Sequence, residues 1–94
     1  MEIAKSNIVR SSAGRDEGKL FVVLATEGEY LLLADGRARK VDHPKRKKRR
    51  HVMFVAADDN RLTEKIRSNE KITDSELRRT IAQYREVIQP DQEG

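Results

Sequence analysis

The side chains able to do chemistry in this chain are overwhelmingly cations. Lys45-Arg46-Lys47-Lys48-Arg49-Arg50 is an unbroken run of six, and Arg10, Arg15, Lys19, Arg37, Arg39 and Lys40 lie upstream of it. Ammonium and guanidinium groups in such number neutralise phosphates, releasing the counterions condensed on a polyanion. Material for catalysis is poorer. His43 and His51 flank the basic run, there is no cysteine, and no carboxylate stands at a recognisable metal-ligand spacing. Ser11 and Ser12 lack an identifiable histidine–acid arrangement. Asp16 and Glu17, set between Arg15 and Lys19, read as charge balance, and Asp58 and Asp59 as helix capping. These residues point to binding rather than catalysis, with no enzyme activity, cofactor, metal or small-molecule substrate expected.

The charge is unevenly placed. Residues 1–55 hold thirteen Lys/Arg against seven Asp/Glu, a net +6, whereas residues 56–94 hold seven against nine, a net −2. The basic excess therefore belongs to the amino-terminal part, and a polyanion, nucleic acid foremost, is its expected partner. Six engaged phosphates would give a log–log salt slope of about −4 to −5, or roughly 10³-fold weaker binding at 200 than at 50 mM salt. Such contacts position a protein without reading sequence. Alternatives for residues 45–50 are a solvated loop and a nuclear-import signal. Self-repulsion predicts an extended, mobile arm there until anions bind.

The elements that must position these cations follow from apolar patterning. Gly14 and Gly18 frame a charged loop, Ala13 to Lys19, where positive φ or close backbone approach is expected. Its Gly-x-x-x-Gly-Lys is one residue short of the phosphate-cradling P-loop and lacks the following Ser/Thr. Ile8-Val9 precedes the loop as a short extended run. Residues 20–25 and 30–34 are continuous apolar runs joined by Thr26-Glu27-Gly28-Glu29, and Asp35-Gly36 signals a tight type I′ hairpin turn. Arg37 to Asp42 would return as a basic strand, and residues 51–55 supply a fifth. Five short strands in 55 residues suggest a small barrel.

Beyond them the pattern is helical. Asp58-Asp59-Asn60 can cap a short helix carrying Leu62 and Ile66 and stopping near Ser68-Asn69. Thr73-x-x-Glu76 fits a capping box, and Leu77, Ile81, Tyr84 and Ile88 form one apolar stripe ahead of Pro90. Asp74–Arg78 and Glu76–Arg79 are spaced to pair on its exposed face. Asp91 to Gly94 reads as a frayed tail. The four aromatics, Phe21, Tyr30, Phe54 and Tyr84, fall on strand runs or the helix stripe, so core packing is the expectation for each. Single-strand stacking is disfavoured on that ground, and folded RNA bound through backbone and shape is favoured.

Ninety-four residues allow one small domain, and a chain 36% hydrophobic and 38% charged must keep its core compact. The lack of cysteine excludes disulfide scaffolds and thiol chemistry and fits a reducing compartment. The amino terminus lacks a signal-like apolar block, and no apolar run approaches the ~20 residues of a membrane span. A cytoplasmic protein without a membrane partner is expected.

Ile8 to Lys19, then Phe21-Val22-Val23 and Leu33 to Gly36, together resemble a KOW motif. The continuation through Arg39-Lys40-Val41 to Pro44-Lys45 and the basic run is similar to the large-ribosomal-subunit protein fourteen family of the archaeal and eukaryotic type and its small bacterial relatives. The resemblance spans residues 5–55. It implies an SH3-like barrel whose loops bind RNA, typically ribosomal RNA, with Gly14 and Gly18 as the motif glycines and Arg15 and Lys19 as its loop cations. The chain departs from the pattern at Ser6-Asn7, where KOW motifs commonly carry a glycine. The combined expectation is an α+β protein. Residues 1–56 form an SH3-like five-stranded barrel with a basic arm at 45–50, and residues 57–94 a two-helix extension on or beside it. It would be monomeric and would bind RNA on the ribosome through Arg10, Arg15, Lys19, Arg37, Arg39, Lys40 and Lys45 to Arg50. A protein-interaction adaptor of the translation or transcription machinery is the alternative. A DNA-binding helix-turn-helix using Arg78, Arg79 and Arg85 is disfavoured by the acidic balance of that region.

Overall fold

A computed structural model describes residues 2–88, with side chains described through Arg85. Five strands, β1 (Ile8–Ser11), β2 (Leu20–Glu27), β3 (Tyr30–Ala34), β4 (Lys45–Lys48) and β5 (Val52–Ala56), are followed by helices α1 (Arg61–Arg67) and α2 (Asp74–Ile88). The strands form one antiparallel sheet in the order β4-β3-β2-β1-β5. The fold is α+β, and the sheet is open, with β4 and β5 as its edges.

Those edges are nevertheless joined by a single 3₁₀ turn, Arg49–His51. Four flat interstrand spacings would separate them by about 19 Å, while the chain from Lys48 to Val52 reaches at most about 14 Å. The sheet must therefore coil. Its two faces bury separate sets of residues, which explains why β2 and β3 read as continuous apolar runs rather than alternating ones. Ile3, Val9, Phe21, Val23, Leu31, Leu33 and Val52 cluster on one face without any helix residue, so the coiled sheet covers that face itself. Ile8, Leu20, Val22 and Ala34 point the other way, onto Leu62 and Ile66 of α1 and Leu77 and Ile81 of α2. The helices thus share a core with the sheet.

Local chemistry fixes the helix ends. Asn60 and Thr63 form a reciprocal capping box on α1. At its other end Asn69, at φ 60°, accepts the left-handed conformation, while Glu70 N–H donates to the Lys65 carbonyl and Asn69 N–H to that of Ile66. Thr73 and Glu76 cap α2 reciprocally, as expected. The two expected ion pairs do not form. Asp74 instead accepts from Val41 N–H, Arg78 donates to the Gly36 carbonyl, and Glu76 pairs with Lys65 at 2.8 Å. Tyr84 donates to Asp58, and burial followed by that carboxylate pushes its hydroxyl up to about 12. The expected helix stop at Pro90 and the tail beyond it lie outside the described residues, as does the side chain of Ile88.

Two strand expectations are corrected. Arg37 to Asp42 is loop, and the returning strand is Lys45–Lys48, paired with Tyr30 to Leu33. Asp35-Gly36 is likewise no two-residue hairpin. The Asp35 carboxylate accepts from Arg37 and Arg39 N–H, both at 2.9 Å, winding the chain into a longer loop. Gly36, at φ 81°, lies so close to α2 that a Cβ would run into the Asp74 carbonyl. The loop is thereby docked on the helix, and its cations are held at one place.

Candidate nucleic-acid interface

The basic run is woven into the sheet, which corrects the expected mobile arm. Lys45 makes an ion pair with Asp16 at 2.5 Å, although without the geometry of a directed hydrogen bond. Lys45 in contact, with Lys47 and Lys19 farther off, holds the Asp16 carboxyl below the usual carboxylate range against the opposing effect of burial. Arg46 lies 3.2 Å from Glu27 and 3.7 Å above the centre of the Tyr30 ring. Lys47 is buried and donates to the Ala13 carbonyl at 2.9 Å. Arg49 donates to the carbonyls of Gly28 and Ile3, both at 2.7 Å. Four of the six cations thus fasten β4 and the turn after it to the β1–β2 loop, the β2–β3 hairpin and the amino-terminal segment. Of the six, Lys48 and Arg50 are the two that lack, among the described residues, a carboxylate or carbonyl partner for their charge.

Most of the cations with free charge lie elsewhere. The β1–β2 loop leads into Leu20, and β3 leaves its pairing with β2 at Ala34, opposite Val22. The β1–β2 and β3–β4 loops therefore issue from the same end of the β2–β3 pair. They carry Arg15, Lys19, Arg37, Arg39 and Lys40, all exposed and none in an ion pair among the described residues. Gly14 and Gly18 both take the expected positive φ, 80° and 89°, and Ser11 N–H to the Lys19 carbonyl (2.9 Å) and Gly18 N–H to that of Ser11 (2.8 Å) close the base of the first loop. Lys19 is thus presented from a fixed backbone.

Beside that loop is a cleft of about 590 Å³ between Arg10, Lys19, Met53 and Arg85, with Ser11, Ser12 and Glu17 on its walls. Arg10 is placed there by register, in the cross-strand row Met53–Arg10–Leu20. Apart from the Glu17 carboxylate, the groups on offer are guanidinium, ammonium and hydroxyl, which suit an anion and its hydrogen-bond acceptors. Arg85 was not among the residues the sequence selected for binding; its position on the last described turns of α2 gives no local signal.

Residues 48–50 occupy the opposite end. Arg49 N–H donates to the Glu29 carbonyl beside the β2–β3 turn, and Lys48, Arg49 and Arg50 line a shallow depression with Glu29. The twelve selected cations are thus divided between two ends of the molecule rather than gathered on one. Among the aromatics, Phe21 is buried as expected, Tyr30 and Tyr84 are half-buried, and Phe54 is 36% exposed, which overturns its assignment to the core. No helix among the described residues is long and apolar enough to cross a membrane. No protein-family model and no curated protein sequence matches the chain.

Proposed function

We propose that the protein is a non-catalytic RNA-binding module of the ribosome, with ribosomal RNA as its target. Its coiled sheet is read as an SH3-like, KOW-type framework. The observation that carries this reading is the set of five exposed cations, Arg15, Lys19, Arg37, Arg39 and Lys40, on two loops issuing from one end of the β2–β3 pair. Neutral or basic ligands give no reason to hold so many like charges together, whereas a phosphate backbone does. Arg10 and Arg85 extend the same surface into the adjoining cleft.

The test is sedimentation of the tagged protein from its own cells, at low and high salt. A second sample carries glutamine at the five loop positions. Co-migration with ribosomes that is lost at high salt and in the variant is the expected result. A protein that stays at the top of the gradient under every condition would overturn the reading. One observation favours the adaptor alternative: β5 is a sheet edge with Met53 and Phe54 exposed, and a protein strand could pair along it. An adaptor of that kind would hold its partner with little salt dependence.

A further inference from the structure

Phe54 is the one exposed aromatic ring of the four. It closes the cross-strand row Phe54–Val9–Phe21, in which Val9 and Phe21 are fully buried. Directly opposed residues in such a row stand about 4.5–5.5 Å apart, so the ring is backed by packed core on its inner side. On its outer side no strand follows, because β5 is the edge of the sheet. The ring is therefore both rigidly supported and open.

What adjoins it is mostly cationic. A cleft of about 410 Å³ runs between Phe54, Val52 and Ile3 on one side and Arg49 and Arg50 on the other, with Glu2 also on its wall, 3.8 Å from Arg49 and so set against that guanidinium. Arg49 is committed to two carbonyls, but Arg50 is exposed and, among the described residues, has no partner for its charge. Lys48 lies in the neighbouring depression, which Arg49, Arg50 and one carboxylate, Glu29, also line. An apolar floor with an aromatic ring and free cations at its rim matches the two halves of a nucleotide. The base has a π-face and little charge, and the phosphate has the charge. An acidic peptide would satisfy the cations and leave the ring idle, and an apolar one would bury the cations at a cost.

We infer that Phe54, with Arg50 and Lys48, forms a site for an unpaired nucleotide, the base stacked on the Phe54 ring and its phosphate held by the two cations. The inference rests on the RNA-binding reading and deepens it. Consecutive strand residues point to opposite faces, so Met53 faces the larger cleft of Arg10, Lys19 and Arg85 while Phe54 faces this one. β5 thus separates a site for phosphates from a site that also takes a base, and the bound RNA must offer an unpaired residue next to the segment the loops hold.

The test compares an oligoadenylate with an abasic phosphodiester of the same length and charge, titrated into the full chain at fixed salt. The wild type is expected to bind the base-bearing strand about tenfold more tightly. Phe54→Ala should erase that preference, and Phe54→Tyr should keep it. Phe54→Leu, which retains apolar cover on β5, should erase it too, with an unchanged melting temperature showing that the fold is intact. Equal, salt-sensitive binding of both strands by the wild type would overturn the stacking site and leave the phosphate reading standing. Binding of neither strand would remove both. A preference that survives Phe54→Ala would place the stacking elsewhere. A dimer in sedimentation equilibrium that Phe54→Ala dissociates would assign the edge to a second copy of the chain.

Discussion

The two edges of the sheet solve the same problem in opposite ways. Any edge strand presents unpaired backbone groups that invite another strand, and charged side chains are a common defence. β4, Lys45–Lys48, is all cation, and three of its four charges are absorbed by Asp16, Glu27 and the Ala13 carbonyl. β5, Val52–Ala56, has no charge of its own and leaves Met53 52% exposed. The most basic segment of the chain therefore serves mainly to complete the structure, and one of its most apolar segments is left open to a partner. The lesson is that charge density along a chain measures attraction to phosphate only after the intramolecular partners have been subtracted. The surplus is on the loops, at Arg15, Lys19, Arg37, Arg39 and Lys40.

The largest effect that could break this contrast is on affinity. Glutamine at the five loop positions should make the log–log salt slope of RNA binding shallower by about 4, and weaken binding at 50 mM salt by about 10²-fold or more, with no loss of stability. Glutamine at Lys48 and Arg50 should change the slope by only about 1.5. Filter binding across a salt series reads both numbers. A larger slope change from the pair than from the five would restore the basic run as the principal contact.

Next in size is the stability of β4 itself. Lys47→Ala removes a buried stem and the charged hydrogen bond to Ala13, and should cost about 3 kcal/mol. Lys48→Ala, one residue on and without a polar partner, should cost less than about 1 kcal/mol. Urea denaturation distinguishes them. If Lys47→Ala unfolds like the wild type yet loses RNA, β4 is a binding strand. For the same reason, neutralising all of residues 45–50 together would damage the fold and is a poor test of binding.

A smaller change concerns β1, which holds β5 in place. The chain enters β1 through Ser6, which is buried at φ 77° with an unpartnered hydroxyl. Its N–H is fixed to the Val23 carbonyl at 2.7 Å, so the conformation is imposed. Ser6-Asn7 is where the chain departs from the glycine of the pattern it resembles, and the backbone of Ser6 is glycine-like. Removing a left-handed L-residue and a buried orphan hydroxyl should outweigh the entropy of glycine, so Ser6→Gly should stabilise by about 1 kcal/mol. A destabilised variant would show that the serine side chain holds the start of β1 by a contact of its own.

The helices were legible because their signals are local: a capping box and a stripe lie within one or two turns of the residues they organise. β2 and β3 were legible because burial on both faces leaves an unbroken apolar run. β4 was not, since its pairing with β3 and its counter-charges at Asp16 and Glu27 come from distant parts of the chain, and a run of cations has no apolar period to betray a strand. The loop at 35–44 was misread because Asp35 spends its carboxylate on two N–H groups of a wide turn, and Gly36 is required by α2 rather than by a hairpin. Of the candidate site, the glycine loop and its cations were visible. The exposure of Phe54 was not, because strand order is a property of topology that composition does not carry.

The smallest effect tests whether the β4 edge is held by charge or only by shape. The folded-state value of Asp16 is lowered from 3.8, first by Lys45. A lowered carboxyl contributes stability that is fully present above its unfolded value and is lost as pH falls through the folded one. Thermal melts of the wild type and Asp16→Asn, taken from neutral pH into acid, should keep a constant gap until about pH 5, and the gap should close progressively below 3.8. Asparagine keeps the shape but not the charge, so a gap that stays the same at every pH would mean that Asp16 acts through packing alone. In that case the cations of β4 would be neutralised by less than the ion pair suggests, and Lys45 would rejoin the set available to phosphate.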